Sequence, residues 1–307
     1  MATVAMAVGP RQQLRFSSPA MLGGLCLATG IAAFAAPWIS TDLATRTAYG
    51  LVLSVGYLAV TLFARRVSAL HPYWELSFAF FILAFSRFLN SVVDLVGTAV
   101  LHDPPNAGDP LASTISGTVV VQLLGTLVAI APVLLSTLVT GRGLGSIYAT
   151  KGKPGGWFVF AVVFFVAFYV FLATLPLRPG SPATQLLPTN GPLTLARFLG
   201  LTPALLVVSL SNGFEEEFLA RGLFLQKYEI FFGVRTSNVL QAIVFSAAHA
   251  GVTYTPALLL FLVVFIFPLG LFAGFLMRTT NGVLTPGIFH GALDMGIYLA
   301  FLTYATY

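Results

Sequence analysis

Charged residues are scarce in this sequence: they make up 8% of 307 residues, while 57% are hydrophobic. Soluble domains carry about 25% charged residues. Because so little charge cannot solvate so much apolar surface, the composition excludes a protein dissolved in water. The mean hydropathy is +0.91. Apolar runs recur along the chain, and their length is close to the roughly 20 residues that a helix needs to cross a bilayer. These features predict a polytopic integral membrane protein with the lipid bilayer as its surroundings.

Cysteine is almost absent, since Cys26 is the single one. One cysteine cannot form an internal disulfide, and its apolar neighbours indicate a packing role. The formal charge of +5 does not indicate a nucleic-acid partner, because the basic residues are scattered along the chain. No segment has the composition of a soluble domain, and nothing in the pattern specifies an oligomeric state.

The apolar runs predict an all-α transmembrane helical bundle of about eight to nine spans. The sixth run is long and is interrupted at Asn212-Gly213. We expect residues 1–20 to form a cytoplasmic N-terminal segment and residues 21–307 to form one transmembrane domain. The predicted spans are Met21–Ile39, Ala48–Ala64, Trp74–Val100, Thr114–Leu138, Gly156–Leu177, Leu193–Lys227, Thr236–Gly251, Ala257–Met277 and Val283–Tyr304.

The distribution of basic residues predicts the orientation, because cytoplasmic loops carry an excess of Lys and Arg. With the N-terminus in the cytoplasm, ten basic residues fall in inside segments and three in outside segments. The inside set is Arg11, Arg15, Arg65, Arg66, Arg142, Lys151, Lys153, Lys227, Arg235 and Arg278, and the outside set is Arg46, Arg178 and Arg197.

Three consecutive glutamates stand beside the break in the sixth run. Asn212 and Glu215 have the spacing of a capping box, which predicts a new helix that begins at Asn212. Glu217 and Arg221 are four residues apart and can form an ion pair on one helix face. Glu216 has no such local partner and is therefore the candidate for chemistry. The alternative is an acidic helix start in cytoplasmic water.

Two histidines and one aspartate also lie within apolar runs. If the segments that flank Phe232-Gly233 are antiparallel helices, Glu216 and His249 reach the same depth. A second hairpin brings His290 to a similar depth, and Asp294 shares its helix face because it is four residues further on. A lone membrane histidine is commonly a structural hydrogen-bonding residue, but ionisable groups in a bilayer are costly. Their convergence predicts a functional site.

Three motifs in the last third of the chain resemble those of the CAAX-protease and bacteriocin-processing family, which is related to the CAAX prenyl endopeptidases. The resemblance covers about the last hundred residues, within a protease-like core at about 193–307, and it implies an intramembrane endopeptidase. It gives Glu217 and Arg221 a bracing role and packs Phe245 against the ring of His249. The motifs are Glu216-Glu217-x-x-x-Arg221, Phe245-x-x-x-His249 and His290-x-x-x-Asp294.

The resemblance also implies roles in catalysis. Glu216, with His249, would activate a water that attacks a peptide carbonyl, and His290 would donate to the oxyanion. The prenyl endopeptidases have Asn where this chain has Asp294. An ionised Asp cannot donate a hydrogen bond, so we expect Asp294 to accept one from His290 and to fix its tautomer. The substrate would be a peptide or a membrane-associated protein tail, and no residue specifies a prenyl group.

Other functions use the same residues. Glu216, His249 and His290 could be zinc ligands, because two His and one carboxylate form a known type of catalytic zinc site. The sequence has no HExxH motif, and we therefore expect no metal cofactor. A proton-coupled transporter also buries carboxylates and histidines. A non-catalytic immunity or binding protein on the same fold is a further alternative.

Overall fold

The computed structural model describes residues 19–35, 39–101, 114–153, 155–178, 192–249 and 255–304, and the regular elements of the described chain are all helices. Two π-helical segments, Phe218–Gly222 and Leu262–Ile266, interrupt the α-helices. The helices are α1 (Pro19–Phe34), α2 (Leu43–Arg66), α3 (Trp74–Leu101), α4 (Ile115–Thr140), α5 (Gly156–Thr174), α6 (Leu195–Glu217), α7 (Leu225–Ala248), α8 (Pro256–Phe261), α9 (Phe267–Thr280) and α10 (Leu284–Tyr304).

The fold class predicted from the apolar runs is confirmed, and each predicted span overlaps a helix of the described chain. Seven helical segments within the described ranges are long and apolar enough to cross a membrane. The first helix is shorter than predicted: α1 has 16 residues, or roughly 24 Å against a hydrocarbon core of about 30 Å. Most of the predicted N-terminal segment 1–20 lies outside the described residues.

The predicted break at Asn212-Gly213 is wrong, because α6 continues through both residues to Glu217. Gly213 instead permits a close approach of α10. A Cβ atom at Gly213 would lie 2.6 Å from the backbone nitrogen of Gly291. Small residues commonly allow membrane helices to pack closely. The irregular backbone comes later, in the π-helical segment Phe218–Gly222.

The turn predicted near Phe232-Gly233 is present as a sharp kink inside α7. Gly233 has φ 71° and ψ 174°, outside the helical region, a backbone conformation that favours glycine. Two helical halves therefore meet at Gly233, and the second half, which covers most of the span predicted to begin at Thr236, returns toward the side of the bundle that holds Glu216.

Polar and apolar side chains are distributed as expected for a protein surrounded by lipid. Large apolar side chains are exposed on the outer faces of α2, α5 and the segment 256–266, as at Phe63, Val163 and Phe265. Buried positions include ionisable residues such as Arg221 and His290. A protein dissolved in water seldom exposes apolar patches of this extent. Together with the seven apolar helices, this distribution defines an integral multi-pass membrane protein.

Local hydrogen bonds fix where several helices begin. Asp42 precedes α2 and accepts hydrogen bonds from the Thr45 hydroxyl at 2.6 Å and the Thr45 amide at 2.7 Å. These bonds lower the pKa of Asp42, because they favour its charged form. Thr114, Thr194 and Thr255 cap α4, α6 and α8 in the same way, as N-cap residues do.

Candidate active site

Glu216 lies at the centre of a cluster that comes from α6, α7 and α10. Its Oε2 atom is 3.4 Å from Nε2 of His290 and 3.7 Å from Nε2 of His249. This oxygen is buried and has no hydrogen-bond partner among the described residues. The side chains of Glu216 and His249 are 27% and 26% exposed, so the cluster is open on one side. The predicted convergence of these residues is found.

Asn212 holds the other oxygen of Glu216. Its Nδ2 atom donates to Oε1 of Glu216 at 3.3 Å and to Oδ2 of Asp294 at 3.1 Å. The sequence predicted Asn212 as the N-cap of a new helix, and this prediction is wrong. Inside a continuous helix, its amide instead reaches two carboxylates, one on its own helix and one on α10. Asn212 therefore orients the candidate base.

The shortest contact of His290 is with Glu217 rather than with Asp294. Its Nδ1 atom lies 2.9 Å from Oε1 of Glu217, while its Nε2 atom lies 3.7 Å from Oδ1 of Asp294. The second distance is too long for a hydrogen bond. The expectation that Asp294 fixes the tautomer of His290 is therefore wrong, and Glu217 occupies that position. Asp294 is still part of the cluster through Asn212.

Glu217 and Arg221 form the buried ion pair that their spacing predicts. The two side chains meet at 2.8 Å and are both 0% exposed. The Arg221 guanidinium also lies 3.9 Å from the centre of the Phe245 ring. Phe245 in turn packs edge-on against His249 and His290, with ring centres 4.7 Å and 5.6 Å apart. This packing links the ion pair to both imidazoles.

Glu215 does not form the predicted capping box. Its carboxylate points away from Glu216 and accepts from the Thr126 hydroxyl at 2.9 Å. Gln122 and Asn90 approach the same carboxylate at 3.4 Å and 3.5 Å, and Tyr298 donates to Gln122. The capping-box spacing gave the wrong prediction because side-chain donors on the neighbouring helices α3 and α4 bind this carboxylate instead. Asn90 and Gln122 are amide residues inside apolar runs, and they were the feature of the sequence that could have indicated this network.

The cluster opens into a cleft of about 140 Å³. Its walls come from α1, α3, the end of α6 and the end of α7, and its polar members are Arg87, Asn212, Glu215, Glu216 and His249. Among the described residues, no group of three His, Cys, Asp or Glu side chains is arranged to hold a metal ion.

Fold and site together define a multi-pass helical membrane protein with a carboxylate and imidazole cluster inside the bundle. Residues 198–296 match the family model described as Type II CAAX prenyl endopeptidase Rce1-like. The match confirms the resemblance stated from the three motifs, all of which lie inside the matched segment, and it supports a protease at the level of the family. Comparisons with curated proteins and with solved structures returned no match.

Proposed function

We propose that this protein is an intramembrane endopeptidase that cleaves a peptide or a membrane-associated protein tail with a water activated by Glu216 and His249. Its protease core would span about residues 193–307 of a transmembrane domain at 21–307. The observation that carries the proposal is the Oε2 atom of Glu216. This buried carboxylate oxygen has no hydrogen-bond partner in the described chain and faces two imidazole nitrogens.

The free oxygen of Glu216 can accept a proton from a water in the cleft. His249 is placed to orient that water, because its Nδ1 lies 2.9 Å from the Phe245 carbonyl oxygen. If Nδ1 donates there, Nε2 is left as an acceptor that faces the cleft. The resulting hydroxide attacks the peptide carbonyl carbon. The proton held by Glu216 then passes to the leaving amine, and the peptide C–N bond breaks.

His290 is the candidate donor to the oxyanion. Its Nδ1 atom is held by Glu217, which leaves Nε2 directed toward the cluster. Donation from both ring nitrogens requires the imidazolium form, whose charge faces the carboxylates of Glu216, Glu217 and Asp294. A fixed positive donor stabilises the negative charge that develops on the carbonyl oxygen. Asp294 would support this arrangement through Asn212 rather than donate itself.

Zinc catalysis is the second candidate, and the contact between His290 and Glu217 favours it. Metal-bound histidines commonly donate their other ring nitrogen to a carboxylate. Glu216, His249 and His290 would hold the zinc ion, which would supply a polarised attacking water, but these side chains are not arranged to hold a metal ion in the described chain. We propose the scheme without a metal and expect cleavage to continue after exhaustive treatment with a strong chelator. Activity that is lost to the chelator and restored by added zinc would replace this scheme with the metal-dependent one.

Cleavage by purified protein in lipid nanodiscs tests the proposal. A library of apolar peptides would be incubated with the wild type and with Glu216→Gln, and products would be identified by mass spectrometry. We expect Glu216→Gln to remove cleavage, because an amide cannot accept the water proton. Thermal unfolding of the variant should stay close to that of the wild type. Equal cleavage by a folded Glu216→Gln protein would contradict the role of Glu216, and no cleavage by the wild type would leave the transporter and the non-catalytic binding protein as the remaining candidates.

A further inference from the structure

Arg87 is a cation inside the membrane domain without an ion-pair partner in the described chain. It lies on α3, half-buried, with its guanidinium 5.5 Å from the centre of the Phe34 ring. Glu215 is near enough to interact with it electrostatically. The carboxylate oxygens of Glu215, however, already accept from Thr126 and from the amides beside it. No hydrogen bond from the Arg87 guanidinium is found within the described ranges.

The other buried cations of the bundle are held differently. Arg221 pairs with Glu217 at 2.8 Å, and the Lys227 ammonium donates to the Leu223 carbonyl oxygen at 2.9 Å. Charged side chains within a membrane domain normally pair or serve a function. Glu215 supplies a nearby negative charge to Arg87 but no hydrogen-bond acceptor, so the N–H groups of the guanidinium point to a ligand that accepts their hydrogen bonds.

Arg87 lines the same cleft as Glu216 and His249. The remaining walls are largely apolar, with the rings of Phe34 and Phe245 among them. The cleft volume of about 140 Å³ is below the roughly 300–1,000 Å³ of pockets that enclose drug-sized ligands. It therefore suits a short stretch of peptide beside the reacting bond rather than a whole folded segment.

We propose that Arg87 binds a carboxylate of the peptide substrate and thereby sets which peptide bond reaches Glu216. The planar guanidinium can bind a carboxylate through two parallel hydrogen bonds, and apolar side chains such as Phe34 and Phe245 line the cleft around it. The carboxylate comes either from the C-terminus of the peptide or from an acidic side chain near the cleaved bond. This inference rests on the proposed peptidase function, in which the cleft binds the peptide substrate.

A peptide set with matched charges tests the inference. Each apolar peptide is made with a C-terminal acid or amide, and with one Glu or the matched Gln moved along its length. Binding to Glu216→Gln protein in phosphatidylcholine nanodiscs is measured by fluorescence anisotropy. We expect the acid or Glu form to bind about tenfold to a hundredfold more tightly than its neutral match. The form that shows this ratio identifies which carboxylate is recognised.

Substitutions at Arg87 provide the decisive comparison. In the Glu216→Gln background, Arg87→Gln should bring the charged-to-neutral ratio to about one, while Arg87→Lys should keep part of it. Arg46→Gln, the same change at the start of α2, is the matched control and should leave the ratio as it was. Arg87→Gln should still bind the neutral peptide as the parent protein does, which distinguishes the loss of the cation from the loss of folded protein.

The outcomes separate this inference from the proposed function. A ratio of one in the parent protein, or a ratio that Arg87→Gln leaves unchanged, overturns the role of Arg87, even when wild-type cleavage depends on Glu216. A ratio that depends on Arg87, without any cleavage by the wild type, supports the carboxylate site and contradicts the peptidase. If Arg87→Gln in nanodiscs that also contain phosphatidylglycerol loses bound phosphatidylglycerol but no peptide selectivity, Arg87 binds a lipid phosphate and the inference is wrong.

Discussion

Three consecutive glutamates have three different sets of neighbours. Successive residues of an α-helix point about 100° apart, so the side chains leave α6 in three directions. Glu215 faces the donors of α3 and α4, Glu216 faces the cleft, and Glu217 faces Arg221 and His290. Identical side chains at adjacent positions therefore lie in three different environments.

Substitution of the two flanking glutamates should affect stability to different extents. Glu217→Gln leaves the buried charge of Arg221 without a counter-ion, which costs about 3–5 kcal/mol of the free energy of unfolding. Glu215→Gln turns one acceptor oxygen into a donor that faces other donors, which costs about 1–3 kcal/mol. Thermal unfolding in detergent measures both. A larger loss at Glu215 than at Glu217 would contradict these assignments.

The sequence was sufficient to predict that Glu216, His249, His290 and Asp294 lie together, because ionisable residues inside apolar runs are rare and their spacing places them at one depth. The sequence was insufficient to predict the contacts of Asn212, because one of its partners, Asp294, lies on a helix that is distant in sequence. Local rules of helix capping assigned that residue to a helix start. A tertiary contact across the bundle decided otherwise, and no pattern within one segment reports such a contact.

At the scale of helices, the crossing of α6 and α10 positions the site. Gly213 lies against the backbone of Gly291, and this contact holds Glu216 and Glu217 next to His290. A methyl group at Gly287 would lie 2.5 Å from the ring of Phe214. The two helices therefore approach each other through glycines along their shared face.

An alanine at this crossing should destabilise the bundle. Gly213→Ala places a Cβ 2.6 Å from the Gly291 nitrogen, and overpacking of this kind costs about 1–3 kcal/mol. Gly56→Ala on α2 is the matched control, since nothing lies within 4 Å of its added Cβ. We expect a lower thermal midpoint in detergent for the first variant and no decrease for the second. Equal midpoints would contradict the close crossing.

The positions of the helices could be predicted from the sequence more accurately than the kinks and π-helical segments that interrupt them. Composition and apolar run length locate the helices, because the bilayer imposes both. The kink at Gly233 was predictable, since the break there is rich in polar and small residues. The π-helical segment Phe218–Gly222 was not, because its residues also suit an α-helix and its geometry follows from packing.

Across the whole molecule, loops that were predicted to be cytoplasmic meet at one end of the bundle. Arg142 pairs with Glu75 at 2.6 Å, and the Lys153 amide donates to the Thr280 carbonyl oxygen at 2.6 Å. His290 lies six residues beyond the start of α10, or roughly 9 Å from this end. A cytoplasmic N-terminus would therefore place the site close to the cytoplasmic surface.

Cysteine labelling tests this orientation. Thr306→Cys, beyond the described residues, should react with a membrane-impermeant maleimide from outside intact cells. Gly143→Cys, in the exposed loop after α4, is the control and should react only when the cytoplasmic face is accessible. The native Cys26 is buried, which keeps the background low. Labelling of Thr306→Cys only from the cytoplasmic face would contradict nine crossings and a cytoplasmic N-terminus.

The proposed role of Glu216 is to activate water for peptide hydrolysis. The most direct measurement is the nanodisc cleavage assay run in water enriched in oxygen-18, with wild type and Glu216→Gln at equal folded concentration. We expect the wild type to release products whose new C-terminal carboxylate carries one oxygen-18 atom, and Glu216→Gln to release none above background. Labelled product released at equal rates by both proteins would contradict the role of Glu216.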